Sequence, residues 1–203
     1  MTDPLLDKSS AQRKTFFSQN HALLKQLTHE GQTPTALLIC CADSRVMPEA
    51  LFGLQPGQFF ILRTVGNLIP PYHAADAGTV SALEFAVLQL QVPHLIICGH
   101  TDCGAIHGLD TPIDVSQKPA LSRWLELARP AQRDVDFLGK VSGTERHRAI
   151  VEQNVRQQLA HVQSYPYVQA AMRAGKLSLH GWVYYLEIPA VGYLNQETGE
   201  FVV

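Results

Sequence analysis

Residues able to bind metal or act as nucleophiles fall in two short stretches. "ICCADSRV" (39–46) sets Cys40 and Cys41 ahead of Asp43 and Arg45, and "GHTDCG" (99–104) sets His100 three residues ahead of Cys103. His-x-x-Cys puts two donor atoms about one turn apart, where they can converge on one ion. Cys41 supplies a third donor if the two stretches are neighbours in space. Two thiolates and an imidazole form a donor set for zinc, and three protein ligands leave a fourth position for water, as in a catalytic site. Two other readings fit the same letters. The residues can be incidental loop residues, or Cys40 followed by Arg45 can be the anion-cradling loop of a thiol enzyme. Against the latter, Asp43 would repel an anion and the loop has no glycine.

Asp43 lies two residues past Cys41 and Arg45 four past it. A carboxylate beside zinc tends to become a ligand and close the open position. A guanidinium holding it through two hydrogen bonds prevents this, leaving an ionised Asp43 to accept a hydrogen bond from a zinc-bound water. The alternative is a surface ion pair of little energetic value. Glu84 is the only formally charged residue between Ala77 and Thr101. Burial of an unpaired carboxylate is costly, so Glu84 is expected to face a polar cleft as a substrate-binding residue; the alternative is the solvent side of its helix. Cys40 and Cys41 point to opposite faces of any strand that carries them, so only one of them can join the ligand set. Cys98, in "LIIC", reads as core. His107, four residues past Cys103, reads as a polar helix residue.

These residues need elements to hold them in place. "TALLICC" (35–41), "QFFILRTV" (58–65) and "HLIICGH" (94–100) are apolar runs of strand length, the pattern of strands covered on both faces. Helical stripes cover 11–28, 76–91 with Asp76 as N-cap, and 143–162 with Thr144 as N-cap. "KLSLHGWVYYLEI" (176–188) alternates as a strand and "AVGYLN" (190–195) pairs back on it. The proline-interrupted stretch 109–142 is the least regular, with one short helix at 120–128. The expected fold class is α/β: a mostly parallel central β-sheet of four to five strands flanked by helices, with 1–203 as a single domain and 1–30 as a helical arm. Ligands in such sheets bind beyond the carboxyl ends of the strands, where 40–45 and 99–104 both lie.

The composition suits this. The 203 residues are 46% hydrophobic and 17% charged, with a net charge of −2, which excludes a disordered chain and gives no basic surface for nucleic acid. No apolar run is long enough for a membrane span, and the first twenty residues do not read as a signal peptide. A cytoplasmic location is therefore expected, with the four cysteines reduced.

C-A-D-S-R at 41–45 and H-T-D-C-G at 100–104, with "QPGQFFILRTVGNLIPPY", "SALEFAV" and "LHGWVY", resemble the β-class carbonic anhydrases over most of the chain. The resemblance implies reversible hydration of CO2 to bicarbonate and a proton through a zinc-bound hydroxide, with one zinc per chain. It also implies a homodimer or higher homo-oligomer, free or in a bacterial microcompartment, whose N-terminal arm packs on the partner subunit. By position, Cys41, His100 and Cys103 match the zinc ligands, and Asp43 and Arg45 the catalytic dyad. Gln32 matches a substrate-pocket amide. Phe60, Val65 and Phe85 match the apolar CO2 wall, partly supplied across the dimer interface. Gly104 matches an N–H that touches bound anion. Leu38 stands where members with an inhibitory bicarbonate site carry Trp, although Arg63 and Tyr184 match the rest of that pocket. The plant-like subtype is therefore expected, with Phe85 in place of its Tyr.

Rivals on the same fold are a hydrolase of CS2 or COS and a non-catalytic zinc scaffold. The two adjacent cysteines separate the metal reading from the thiol reading. Cys41→Ser is expected to lose zinc and activity, whereas Cys40→Ser should keep one zinc per chain and lose stability at most; metal analysis of both purified variants checks this.

Overall fold

The computed structural model describes residues 3–139, 141–188 and 190–203. In chain order the elements are α1 (Pro4–Lys8), α2 (Ser10–Glu30), β1 (Ala36–Cys41), α3 (Pro48–Leu51), β2 (Phe59–Thr64), α4 (Ala77–Glu84), β3 (His94–His100), α5 (Gly104–His107), α6 (Pro119–Leu125), α7 (Arg129–Leu138), α8 (Gly143–Gln163), α9 (Pro166–Arg173), β4 (Ser178–Tyr185), β5 (Ala190–Leu194) and β6 (Phe201–Val202). The strands form one sheet in the order β2-β1-β3-β4-β5-β6. The first four are parallel, and β5 and β6 add antiparallel at one edge. The α/β class and mostly parallel sheet match the expectation. The sixth strand is new to it: two residues are too few to show a pattern.

Alternation along β1 sorts its side chains between two clusters. Leu37, Ile39 and Cys41 join the larger one with α4, α8 and β3, and Leu38 and Cys40 face Ile96, Cys98, Trp182 and Tyr184 on the other side. Helix α8 presses closest on the larger face. A Cβ added at Gly99 would sit 2.9 Å from Val155, and one at Gly181 would sit 2.9 Å from Val155 and 3.0 Å from Leu159. Glycine in β3 and β4 is what lets this helix lie so near the strand ends.

Several local features depart from the sequence reading. Asp76 does cap α4, accepting from Thr79 N–H at 3.0 Å. That helix then becomes a π-helical turn over Phe85–Gln89 rather than running on regularly. The N-cap of α8 is Ser142, not Thr144, and its side chain makes no capping bond. The stretch 109–142 holds α7 as well as α6, because Pro130 lies in the first turn of α7, where its missing N–H has no intrahelical partner to lose. Gly139, left-handed at φ 59°, ends that helix. None of the residues of α2 is buried, and Phe16 and Phe17 are exposed on it. Among the described residues, no helix is long and apolar enough to cross a membrane.

Candidate metal centre

Pairing of β1 with β3 puts Cys40 opposite Cys98, so Cys41 lies level with Gly99 and one residue short of His100 at the carboxyl ends of their strands. The chain then turns through Thr101 and Asp102 into the short α5, which brings Cys103 back toward Cys41. The donor atoms of Cys41, His100 and Cys103 all lie within 4.8 Å of one another, and all three residues are buried. The two sulfurs are 4.0 Å apart, close to the roughly 3.8 Å spanned by two sulfurs each 2.3 Å from a tetrahedral zinc.

His100 completes the fit. Its Nδ1 lies 2.8 Å from the Thr101 carbonyl, which can only accept, so Nδ1 carries the hydrogen and Nε2 the lone pair. Nε2 is buried and has no hydrogen-bond partner. Such a lone pair, aimed between two sulfurs, is costly unless something binds it. The residues therefore fit zinc. The Cys41 thiol is held below its usual range, chiefly by the hydrogen bond from Cys103 and further by the N–H groups of Asp43 and Gly66. Cys103 moves the opposite way, through its contact with Cys41 and its burial. Cys40, by contrast, is fully buried on the other sheet face, and burial pushes its thiol up to about 12. It is unsuited to nucleophilic attack, which removes the thiol-enzyme reading.

Asp43 and Arg45 form a fork rather than a loose surface pair. Nε of Arg45 donates to Oδ1 at 3.0 Å and Nη2 to Oδ2 at 2.8 Å. The Arg45 backbone N–H adds a third bond to Oδ1 at 2.9 Å. These bonds hold the Asp43 carboxyl well below the usual carboxylate range. A depressed carboxylate stabilises the fold above its ordinary pKa, and that contribution fades only as pH falls through the lowered value. Oδ2 stands 3.8 Å from His100 Nε2, too far to bond it and near enough to face whatever sits there.

The other residues singled out in the sequence divide. Val65 and Gly104 line one small cavity of about 380 Å³, and nothing lies within 4 Å of a Cβ placed on Gly104. Phe60 and Phe85 meet each other, ring centroids 5.7 Å apart. Phe60, however, pairs with Leu37, four positions before Cys41, or roughly 13 Å back along the strand. Gln32 is exposed just after α2. Glu84 is exposed on α4 of this chain, as is Phe85 beside it. This chain by itself therefore gathers the three ligands and the dyad, and sets the Phe60–Phe85 pair back from them along the sheet.

The sequence reading missed what holds the Cys41 loop. Arg63 donates Nε to the Cys41 carbonyl at 3.1 Å and Nη2 to the carbonyls of Asp43 and Val46, each at 2.7 Å. The available signal was a lone charge inside the apolar run "FFILRTV". From the other side, Asn154 Nδ2 donates to the Gly66 carbonyl at 3.1 Å, and the Gly66 N–H reaches Cys41. Gly66 is left-handed at φ 72°, a conformation glycine adopts without strain.

Comparison with known proteins agrees with this geometry. A family model described as carbonic anhydrase matches residues 36–191. The structure is similar to that of the β-carbonic anhydrase CcaA, with a TM-score of 0.89 and 35% identity over 98% of this chain and 90% of that one. The chain belongs to the β-class carbonic anhydrases. A carbonic anhydrase of Synechocystis is 38% identical over 177 residues, 86% of this chain; the match spans 64% of that relative's length. One of two tetrameric β-carbonic anhydrases from Sordaria macrospora aligns with a TM-score of 0.82 and 26% identity over 98% of this chain and 97% of that one.

Replacing Arg63 by Met keeps the stem and removes all three bonds to the loop. The expected outcome is a protein less stable by about 1–3 kcal/mol that gives up zinc faster to a chelator; thermal unfolding and a chelator competition check both.

Proposed function

We propose that this chain is a zinc-dependent carbonic anhydrase that interconverts CO2 and water with bicarbonate and a proton. The observation that carries this is the partnerless, buried Nε2 of His100 facing the Cys41 and Cys103 sulfurs, with an ionised carboxylate pinned beside it. Zinc held by Cys41, His100 and Cys103 supplies a Lewis acid that brings the ionisation of water toward neutral pH.

The remaining work belongs to the protein. Asp43 keeps a free lone pair on Oδ2, where it accepts a hydrogen bond from the attacking oxygen and turns that oxygen's other lone pair to CO2. Arg45 keeps the carboxylate from becoming a ligand. Val65 forms an apolar side of the pocket, where CO2 rests without strong attraction. The Gly104 backbone N–H, next to the Cys103 ligand, is the donor for the bicarbonate oxygen as charge develops there.

Gln32, Phe60 and Phe85 act in this reading from a second copy of the chain. The set-back of Phe60 along its strand, with Phe85 against it, supports this, as do the exposed Phe16 and Phe17 of the unburied α2 arm. The tetrameric Sordaria relatives set the precedent for assembly. We assign the chain to the plant-like subtype without an inhibitory bicarbonate pocket: Leu38 is fully buried where that pocket needs Trp, and Arg63 spends its donors on loop carbonyls. Four free cysteines suit a reducing compartment such as the cytoplasm.

Stopped-flow CO2 hydration on the zinc-loaded protein tests the proposal. Wild type should hydrate CO2 well above buffer, and Asp43→Ala should keep its zinc and lose activity by about 100-fold or more. A wild type no faster than buffer sinks the enzyme reading, and an Asp43→Ala variant of full activity sinks the role given to the carboxylate.

A further inference from the structure

Arg45 reaches past Asp43. Its Nη1 donates to Asp102 Oδ2 at 2.6 Å, and its Nη2 also donates to the Asp102 carbonyl at 2.8 Å. One guanidinium is thus held along two edges, by Asp43 on one and by both the side chain and backbone of residue 102 on the other. Asp102 is itself braced. Its Oδ1 lies 3.0 Å from His107 Nε2, and the His107 ring stacks on His147 with centroids 3.7 Å apart and planes 17° from parallel. His147 is buried and stands against the Cys103 carbonyl at 3.4 Å.

The backbone points the same way. Asp102 has φ 54°, one of three non-glycine residues with positive φ among those described. L-residues avoid this region, and such outliers persist where surrounding contacts hold them. Here the left-handed turn swings the carbonyl and the carboxylate of one residue onto one guanidinium.

We infer that Asp102 is a positioning residue for the Asp43–Arg45 dyad: it is the second anchor that keeps the guanidinium square to Asp43, and His107 steadies it. The inference rests on the role given above to the dyad. The Arg45 side chain is 47% exposed, so a single carboxylate would leave its stem free to change rotamer in water. Each departure would release Asp43, whose Oδ2 already stands 3.8 Å from the ligand atom of His100, to move onto the metal. Two anchors on adjacent edges, meeting at Nη2, close that route without touching the reacting atoms.

Asp102→Gly isolates the carboxylate, because glycine accepts the left-handed backbone and keeps the carbonyl contact. Asp102→Asn keeps an acceptor without the charge. The probe is azide, titrated into cobalt(II)-substituted protein and followed by the visible absorption of the cobalt. If Asp43 takes the fourth position, azide must displace it and binds more weakly. Asp102→Gly should weaken azide binding about 10-fold, with Asp102→Asn in between and the melting temperature of both near wild type. Arg45→Ala is the control for the dyad itself. Azide affinity in Asp102→Gly within about twofold of wild type, while Arg45→Ala weakens it, overturns the role of Asp102 alone. No change in either variant overturns the dyad reading as well. Weakening in Asp102→Gly but not in Arg45→Ala means that Asp102 acts by another route, which also overturns the inference. Should Asp102→Gly fail to fold, the same comparison is made with Asp102→Asn, where unchanged azide affinity again counts against it.

Discussion

Cys41 comes level with Gly99, one residue from His100, because β1 and β3 run parallel with Cys40 opposite Cys98. A slip of one residue would turn Cys41 to the wrong sheet face and bring Cys40 to the metal side. The register is held by burial: Leu37 and Ile39 on one face, and Leu38 and Cys40 on the other, are all fully buried. Gly99, next to the ligand, is small because Val151 and Val155 of α8 come within 3.2 and 2.9 Å of where its Cβ would be. The helix that packs the sheet therefore also fixes the height of the strand ends. The position of three donor atoms is in this sense a consequence of ordinary core packing.

What packing does not supply is control of the loop beyond β1. Residues 42–46 leave the sheet, and the carbonyls of the loop from Cys41 to Val46 need other partners. Arg63, from the neighbouring β2, takes three of those carbonyl contacts. Arg45 ties the same loop to residue 102, and Asn154 steadies the Gly66 turn behind Cys41. Each of the two loops that carry ligands is thereby fixed to the other and to a strand or helix. This matters for the chemistry, since a small displacement of Asp43 would convert a hydrogen-bond acceptor into a competing ligand.

Much of this was legible in the sequence, and the remainder was hidden for identifiable reasons. Buried strands announce themselves as apolar runs, so β1, β2 and β3 and the site beyond their ends could be read directly. The His-x-x-Cys spacing and the alternation in β1 picked out Cys41 over Cys40, and the structure places them as expected. Arg63 and Asp102 were not legible as clamps. Side-chain bonds to loop carbonyls depend on the path of the loop in space and leave no period in the sequence. Pro130 misled because proline both breaks helices and begins them. Phe60 and Phe85 matched the family pattern, yet within one chain they meet each other set back from the metal ligands along the sheet.

The central claim is that two sulfurs and one imidazole hold zinc while Arg45 keeps Asp43 off it. A crystal structure of the zinc-loaded protein at neutral pH tests this most directly. The expected result is zinc on Cys41, His100 and Cys103, a water at the fourth position, and Asp43 still paired with Arg45. Zinc on another donor set, or an Asp43 oxygen as fourth ligand with the Arg45 pair broken, would contradict it.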